Sequence, residues 1–590
     1  MGLLHPPRPR LTLDVGITGH RAKLLSPELV ALAAPQVEQL LEHLRLALRA
    51  LHADDGGALF ADDPPQLRLH TALATGADQL AASLARAQGY RVRAILPLAP
   101  DAYGEDFETG PERLEFTRQL NCADEIFALD SDPADRDRAY VAVGKAVVAA
   151  SDILVAVWDG GPAAGPGGTA HVVELALAAS VPVIHVPVDR EQGIVGPPRL
   201  LSGCTLSDLT AAPLASPEEW SDLVRTVLTP AAAADRRNAA CFFAERERIT
   251  SWRLEHPLLV SLLGVKPLPP RPWRQASVAS EITVRQVDGD PPISAFSYAW
   301  ANFLAVHYAQ LFRSGHVTNY LLSALAVVLA LSGLLFPAAK IVLVLAELGI
   351  IALLFANTRA GTRGEWHRKW LQYRYLAETL RPLTYCKLTG LVGPPFRSGS
   401  GCDPLHRQGR PDWTRWYAAA VWREMAWPSG TQTPATVREL AERMTAEQLL
   451  PQASYHLANA ERMTKLDHQL HRIGNLLMGG VIASCLLYLL GYLLLPDRTT
   501  ALTHAIVVLT AGLPAIGAAV FGLRGHGEHL LAASRSAQTA AALTASAERL
   551  RRASRSDQLA VELEISAAIM LSDLNEWNAT YRERSLKIPA

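Results

Sequence analysis

Cysteine is scarce in this chain and never clustered. Six cysteines (Cys122, Cys204, Cys241, Cys386, Cys402 and Cys485) are scattered over 590 residues, with no CxxC pair and no Cys/His cluster. Neither a zinc site nor a disulfide framework is expected, and reduced thiols in a cytoplasm are the default. An excess of one charge is also missing: 56 Lys and Arg against 57 Asp and Glu leave a formal charge of -1. No basic run reaches the density of a nucleic-acid-binding arm, so a general nucleic-acid binder is disfavoured. The opening residues, MGLLHPPRPRLTLDV, hold three prolines and no continuous apolar stretch, so no signal peptide is expected there. A chain this long exceeds one core, and two or more domains are expected.

What is present is organised around Ser151 to Val186. The run Ile153 to Trp158 is short, apolar and β-branched, as a strand buried on both faces should be. A loop from Asp159 to Gly168 follows, five of its ten residues glycine. Thr169 opens a helical pattern to Ala179, and Val181 to Val186 closes a β-loop-α-β unit. Such a turn offers converging backbone N–H groups and the positive end of a helix dipole, which suits a phosphate.

Upstream, a strand at Leu11–Val15 runs into Gly16-Ile17-Thr18-Gly19-His20-Arg21. Pro27 to Leu51 reads as helical, with Pro35 expected to kink or divide it. A strand at Leu67–Thr71 precedes Ala74-Thr75-Gly76-Ala77-Asp78 and a helix at Gln79–Gln88. A further strand, Arg91–Leu96, ends at Pro97. Strands alternating with helices predict a Rossmann-like α/β fold, a doubly wound parallel sheet, across residues 11–230. Three loops then fall at strand carboxyl ends, where open parallel sheets bind ligands.

The candidate ligand-binding residues are Gly16, Thr18, Gly19, His20, Arg21, Gly76, Ala77, Asp78, Pro97, Tyr103, Trp158, Asp159, Gly160, Gly167, Gly168, Thr169 and Glu174. Glycines admit close backbone approach, and Thr18 and Thr169 can donate to phosphate oxygens. Arg21 can pair with phosphate bidentately, and Asp78 or Asp159 can accept from ribose hydroxyls. Tyr103, Asp106 and Phe107 could give a base its stacking face and polar contact. His20 and His171 read as acid/base groups or as hydrogen-bonding rings beside a ligand. Asp130 to Arg138 reads as a solvated loop, and no metal site is expected.

Taken together, GITGHR, TGADQLA, ILPLAPDAYGEDF and DILVAVWDG…PGGTAHVVELA resemble the SLOG superfamily, Rossmann-like domains that sense or process nucleotide-derived ligands. Some relatives are phosphoribohydrolases with a signature like PGGxGTxxE. Pro166, Gly167, Gly168 and Glu174 stand in register with it, whereas Ala170 and His171 replace its third glycine and its threonine. The resemblance implies a nucleotide-derived ligand, such as a cyclic nucleotide or an ADP-ribose derivative, rather than a bound cofactor. It also leaves Glu174 as a candidate nucleophile or electrostatic stabiliser, beside its plainer reading as an early-helix carboxylate.

Residues 231–300 form a breaker-rich linker, including a charged helix at Arg236–Ile249, PLPPRP at Pro267–Pro272 and the stretch Asp288–Pro292. Trp252 and Trp273 are expected to pack against a neighbouring domain.

Beyond the linker lie four charge-poor blocks: Val317–Phe336, Ile341–Ala356, Leu476–Leu495 and Ala505–Leu523. The first is 20 residues without a charge, and at about 1.5 Å per residue it crosses a hydrocarbon core of about 30 Å. Four transmembrane helices in two hairpins are predicted. QLxRxG precedes each pair (Gln310–Gly315, Gln469–Gly474) and GxRG follows each (Gly361–Gly364, Gly522–Gly525), which argues for duplication. Units at 301–400 and 460–590 with a connector at 401–459 follow. Helices at Glu365–Leu380 and Gly527–Arg551 continue the spans. These two-span units are similar to SLATT domains, effectors that pair with SLOG domains in bacterial conflict systems.

Arg313, Arg359, Arg363, Arg368, Lys369, Arg472 and Arg524 lie outside the hairpin turns. The positive-inside rule then places the N-terminal domain, connector and C-terminus in the cytoplasm of a multi-pass inner-membrane protein. Glu347, in mid-span, is either a pore-lining group or a carboxyl bonded to Asn319, Ser323 or Ser332. Gly479, Gly480, Gly512 and Gly517 allow close helix approach. The run Trp413, Trp416, Tyr417, Trp422 and Trp427 reads as the core of the connector in preference to a bilayer-interface helix.

The expectation is a nucleotide-gated, homo-oligomeric membrane effector. The resemblance implies antiviral defence and an upstream nucleotide-synthesising enzyme acting through a messenger. The alternative is a membrane-anchored nucleoside or NAD glycohydrolase using Glu174.

Overall fold

Parallel pairing dominates the N-terminal half, because successive apolar strands are separated by helices that return the chain to the same sheet edge. The structure is a computed structural model, and it describes residues 4–163, 165–284, 292–395, 397, 412–494, 496–527 and 529–581. Part of the expected breaker at Asp288–Pro292 lies outside the described residues.

Strands β1 (Thr12–Gly19), β2 (Gln66–Thr71), β3 (Arg91–Leu96), β4 (Glu125–Ala128), β5 (Ile153–Trp158) and β6 (Val183–Asp189) run parallel. Antiparallel β7 (Ile194–Val195), β8 (Arg199–Ser202) and β9 (Thr210–Pro213) extend the β6 edge. A short β10 (Gly430–Thr431) pairs with β4 at the opposite edge. The order β10-β4-β3-β2-β1-β5-β6-β8-β9 reverses direction between β1 and β5.

Helices cover both faces. On one lie α1 (Pro27–Asp55) and α2 (Ala77–Ala87), which meets Gly19 of β1. On the other lie α5 (Arg136–Ala150), whose C-cap Ser151 packs on Gly16, and α6 (Thr169–Ala178). Short helices α3 (Pro100–Gly104) and α4 (Gly110–Asn121) connect β3 to β4.

Several local expectations change. β1 continues to Gly19, because Gly16 to Gly19 pair with Leu154 to Val157. Gly16, Thr18 and Gly19 therefore belong to the strand, and the loop begins at His20. Pro35 leaves α1 unbroken; it is exposed, while Ala33, Val37, Leu40 and Leu44 hold the buried face. The charged helix of the linker ends at Phe243. Cys204 is disulfide-bonded, against the expectation of reduced thiols, while Cys122, Cys241, Cys386 and Cys485 are free.

The half of the α5 face that α5 leaves open is polar: Asp14, Arg68, His70 and Arg93 alternate with the apolar residues of β1 to β3, as the pleat requires. Residues from beyond the first hairpin cover it. The helix Asp412–Glu424 sends the Arg423 carbonyl to Arg68, and the Lys387 ammonium sits 4.1 Å from the Trp427 ring centroid. Asp152 binds both Arg397 and Arg423 at 2.9 Å. Trp413, Trp416, Tyr417, Trp422 and Trp427 are all buried. The Trp416 indole donates to Leu228 O at 2.7 Å, so this aromatic run joins the core of the sheet domain.

Four helices are long and apolar enough to cross a membrane. They form two hairpins, Ile293–Ser332 with Lys340–Arg363 and Leu450–Leu494 with Pro496–Gly527. After each, a further helix (Trp366–Leu380, His529–Arg552) folds back onto the long helix of its own hairpin. A left-handed Glu365, φ 50°, makes the first of these reversals. Glycines set the close contacts within and between hairpins: a Cβ on Gly474 would lie 2.6 Å from the Phe521 ring, and one on Gly522 would overlap the Tyr320 ring. Gly512 and Gly480 face neighbouring leucines as expected, whereas Gly479 and Gly517 have open space. A last helix, Ser556–Tyr581, returns to the sheet domain.

Candidate functional site

The carboxyl ends of β1 and β5 meet where the strand order reverses, the place where an open parallel sheet leaves a crevice. His20 leaves β1 and Asp159 leaves β5. His20 Nε2 lies 3.0 Å from Asp159 Oδ1 and 3.2 Å from its amide nitrogen. Arg190, just past β6, reaches Asp159 Oδ2 at 2.5 Å. Partial burial opposes the charge of Asp159, yet the Gly161 amide (2.9 Å) and His20 hold its carboxyl below the usual value.

Two helix N-termini open onto this crevice, and neither has a side-chain cap. α2 starts at Gly76, φ 90°, where a Cβ would lie 2.6 Å from His20 O. α6 starts after Gly168. At α2 the Ala77 amide already donates to His20 O (3.2 Å) and the Gln79 amide to Ala74 O (3.3 Å), so the amides left to favour an anion are chiefly those of α6. Arg21 lies beside them, 4.5 Å from the centroid of the Tyr140 ring. Gly167, φ 75°, packs on the Tyr140 backbone. The His171 ring occupies the Gly167 amide at 3.1 Å, so the residue that departs from the phosphoribohydrolase signature takes one donor out of the cradle.

Most of the other sequence candidates lie around the crevice but are packed beneath its surface. Gly16 is packed on Ser151, and Ala77, Pro97 and Trp158 are buried, the Trp158 indole donating to Gly161 O at 3.0 Å. Asp78 is also buried, and it accepts from Thr71 Oγ1 (3.2 Å) and the Ala72 amide (3.1 Å). Burial pushes its carboxyl up to about 6, and these local bonds commit it to the loop after β2 rather than to a ribose. Tyr103 and Phe107 form a buried aromatic cluster with Phe116 and offer no free stacking face. Glu174 is exposed, about 140° around α6 from Thr169 at 3.6 residues per turn, with no hydrogen-bond partner among the described residues. Thr18, Gly19, His20, Arg21, Gly76, Asp159, Gly160, Gly167, Gly168 and Thr169 surround or border the crevice.

Arg190 and Tyr140 were missed from the sequence. Arg190 follows a strand at the ligand edge, which is a readable signal; Tyr140 lies on a helix with none.

α5 has a second role. Tyr140 faces the loops, while Arg138, Val141, Ala142 and Lys145 line a cleft of about 670 Å³ shared with Arg549, Arg552, Asp557 and Glu562. Arg138 pairs with Asp557, and Asp130 accepts from the Ser556 amide at the start of the last helix. The expected solvated loop at Asp130–Arg138 is thus a docking point for the C-terminal helix.

In the hairpins, Glu347 is half-exposed with no partner among the described residues. Asn319 instead donates to Thr358 (3.0 Å) and accepts from Asn357 (2.7 Å), and Ser332 donates to Val328 O. Among the described residues no group of three or more His, Cys, Asp and Glu could hold a metal. The chain matches no family model, no curated protein and no solved structure.

Proposed function

We propose that this chain is a nucleotide-gated membrane effector of the SLOG–SLATT kind, in a bacterial inner membrane with its sheet domain in the cytoplasm. A nucleotide-derived messenger binds at the β1/β5 crevice, its phosphate facing the uncapped α6 N-terminus and Arg21. Occupancy biases a homo-oligomer towards a state in which the hairpins permeabilise the bilayer, in the service of antiviral defence. One observation carries the reading: α5 is a wall of the crevice through Tyr140 and the dock of the C-terminal helix through Arg138. A ligand that alters the Arg21–Tyr140 contact therefore acts on the element that holds the second hairpin, and it needs differential affinity for the two states to do so. Glu347 supports the oligomer, because a lone carboxyl on a lipid-facing helix is costly and a second copy would give it a polar setting.

The test uses the full chain in liposomes loaded with a potassium-sensitive dye. Adding cyclic dinucleotides or ADP-ribose derivatives one by one should give leakage with one of them, and Arg21→Ala should abolish it. Silence with every member of both classes overturns the reading. Leakage unchanged in Glu347→Ala removes the pore-lining role. The second reading, a glycohydrolase, rests on Glu174 standing in register with the phosphoribohydrolase signature. Steady release of base from NAD or a nucleoside monophosphate, lost in Glu174→Gln, would put it first.

A further inference from the structure

The linker between the sheet domain and the first hairpin carries an unusual surface. Trp252 is 77 % exposed and Leu262 is 85 % exposed, and Leu258, Leu268 and Trp273 are exposed with them. The two indoles stack on each other, centroids 6.5 Å apart and planes within 12°, instead of packing against a domain. A ladder of Ser251 N to Trp273 O (2.8 Å) and Gln275 N to Ile249 O (2.8 Å) closes the segment into a loop. This is no loose strand: both ends are tied to each other and to the hairpins.

Its position is set by five contacts. The Arg253 guanidinium donates to Asn357 Oδ1 (2.8 Å) and Thr318 Oγ1 (3.1 Å), where the apolar runs of the first hairpin begin. The Gln310 amide donates to Arg253 O, and the His256 amide donates to Ser314 Oγ at 3.2 Å. At the far end, Lys465 of the second hairpin donates to Gly264 O at 2.5 Å. The helix Glu255–Leu262 therefore runs from one hairpin to the other, across the spans rather than along them. Ser314 lies about 10 Å, and Lys465 about 16 Å, before the first exposed leucines of the charge-free apolar blocks in their helices (Leu321, Leu476) at 1.5 Å per residue. A helix about 10–12 Å wide at that level has one flank in the headgroup layer.

The charges agree. Lys266, Arg271 and Arg274 are exposed, and the one acidic residue between Thr250 and Gln275, Glu255, is engaged by Arg253 (2.9 Å) and Thr318 (3.0 Å). Exposed tryptophans and leucines beside a cluster of free cations match an anionic lipid surface, where rings settle at the headgroup boundary and Lys/Arg meet phosphate.

We propose that residues 250–275 form an interfacial anchor that lies in the plane of the bilayer and binds anionic phospholipid headgroups through Trp252, Trp273, Lys266, Arg271 and Arg274. The proposal rests on the reading of the four long helices as membrane spans. The linker then holds the base of both hairpins at a fixed depth while the domain beneath them changes state.

Tryptophan emission tests it directly. None of the 12 tryptophans lies in the four apolar blocks, so quenching by bromine placed high on the acyl chains reports interfacial rings. The full chain goes into nanodiscs of mixed anionic and zwitterionic phospholipid, brominated or plain. Bromolipid should quench, and Trp252→Phe with Trp273→Phe should cut the quenched fraction at least about twofold. Lys266→Glu, Arg271→Glu and Arg274→Glu together, or a purely zwitterionic bilayer, should lower it in the same sense. All five side chains are exposed, so unchanged melting of the variants is the folding control. Quenching that persists undiminished in the tryptophan variant overturns the anchor, as does cross-linking of two copies through Trp252. A chain that resists alkaline extraction yet fails this test loses the anchor alone; one released by alkali loses the membrane reading too.

Discussion

The two hairpins share an architecture and differ in how they are fastened to the sheet domain. The first is held by buried charge. Glu245, 7 % exposed, accepts from Tyr308 (2.8 Å), Tyr373 (3.0 Å) and Lys369 (2.6 Å), joining the linker to both helices that pack together below the bilayer-length segment. Lys387, 1 % exposed, then carries the chain into the polar face of the sheet, where burial and the neighbouring Arg68 hold its ammonium well below its ordinary value. The second hairpin meets the sheet domain at the partly exposed pair Arg138–Asp557 and the Asp130–Ser556 bond, while Leu559, Leu563 and Ala567 of its last helix are buried. Breaking a buried pair leaves an uncompensated charge, whereas an exposed pair separates at little cost. The first hairpin is thus fastened by buried charge, the second by apolar packing with charge only at its rim.

Three variants would break or sharpen that contrast. Glu245→Ala strands the Lys369 ammonium and two phenols, and should cost about 3–5 kcal/mol, read as a large fall in the melting temperature of the detergent-solubilised chain. A loss below about 1 kcal/mol would remove the distinction between the hairpins. Gly522→Ala forces a methyl into the Tyr320 ring where the hairpins touch, and should cost about 1–3 kcal/mol, with partial rescue by Tyr320→Ala. Without rescue, the closeness of that contact is not what limits stability. Arg138→Ala should change melting by no more than about 1 kcal/mol while shifting the messenger concentration needed for liposome leakage. A shift in melting as large as that of Glu245→Ala would make the second fastening as firm as the first.

The parts of this molecule legible in the sequence are those fixed by local pattern. Ile153–Trp158 and Arg91–Leu96 coincide with their strands because they are almost wholly buried and bounded by turns. The four bilayer-length helices follow from uninterrupted apolar composition, and the paired QLxRxG and GxRG motifs fall where each hairpin closes near the domain. β4 escaped notice because it is four residues long, with a charge at its start and only half of it buried. The crevice was readable in outline from the loops after β1 and β5. Asp78 and Tyr103 do lie near Arg21 at the ligand edge, but sequence does not reveal that they are buried there and already claimed by Thr71, Ala72 and Phe116. Lys387, Arg397 and Arg423 carried no signal at all, since their partners Asp14 and Asp152 lie hundreds of residues away in the chain.

That distance bears on how the molecule is made. The ribosome produces β1 to β9 first, yet the polar face of the sheet is closed by Lys387, the helix Asp412–Glu424 and strand β10, all encoded after the first hairpin. Until they arrive, Asp14, Arg68, His70 and Arg93 face water with no cover. The sheet domain therefore matures only after the first pair of bilayer-length helices has emerged. A fragment that ended in the linker would leave that polar face uncovered. Biosynthetic order alone makes completion of the sheet domain wait for the first hairpin.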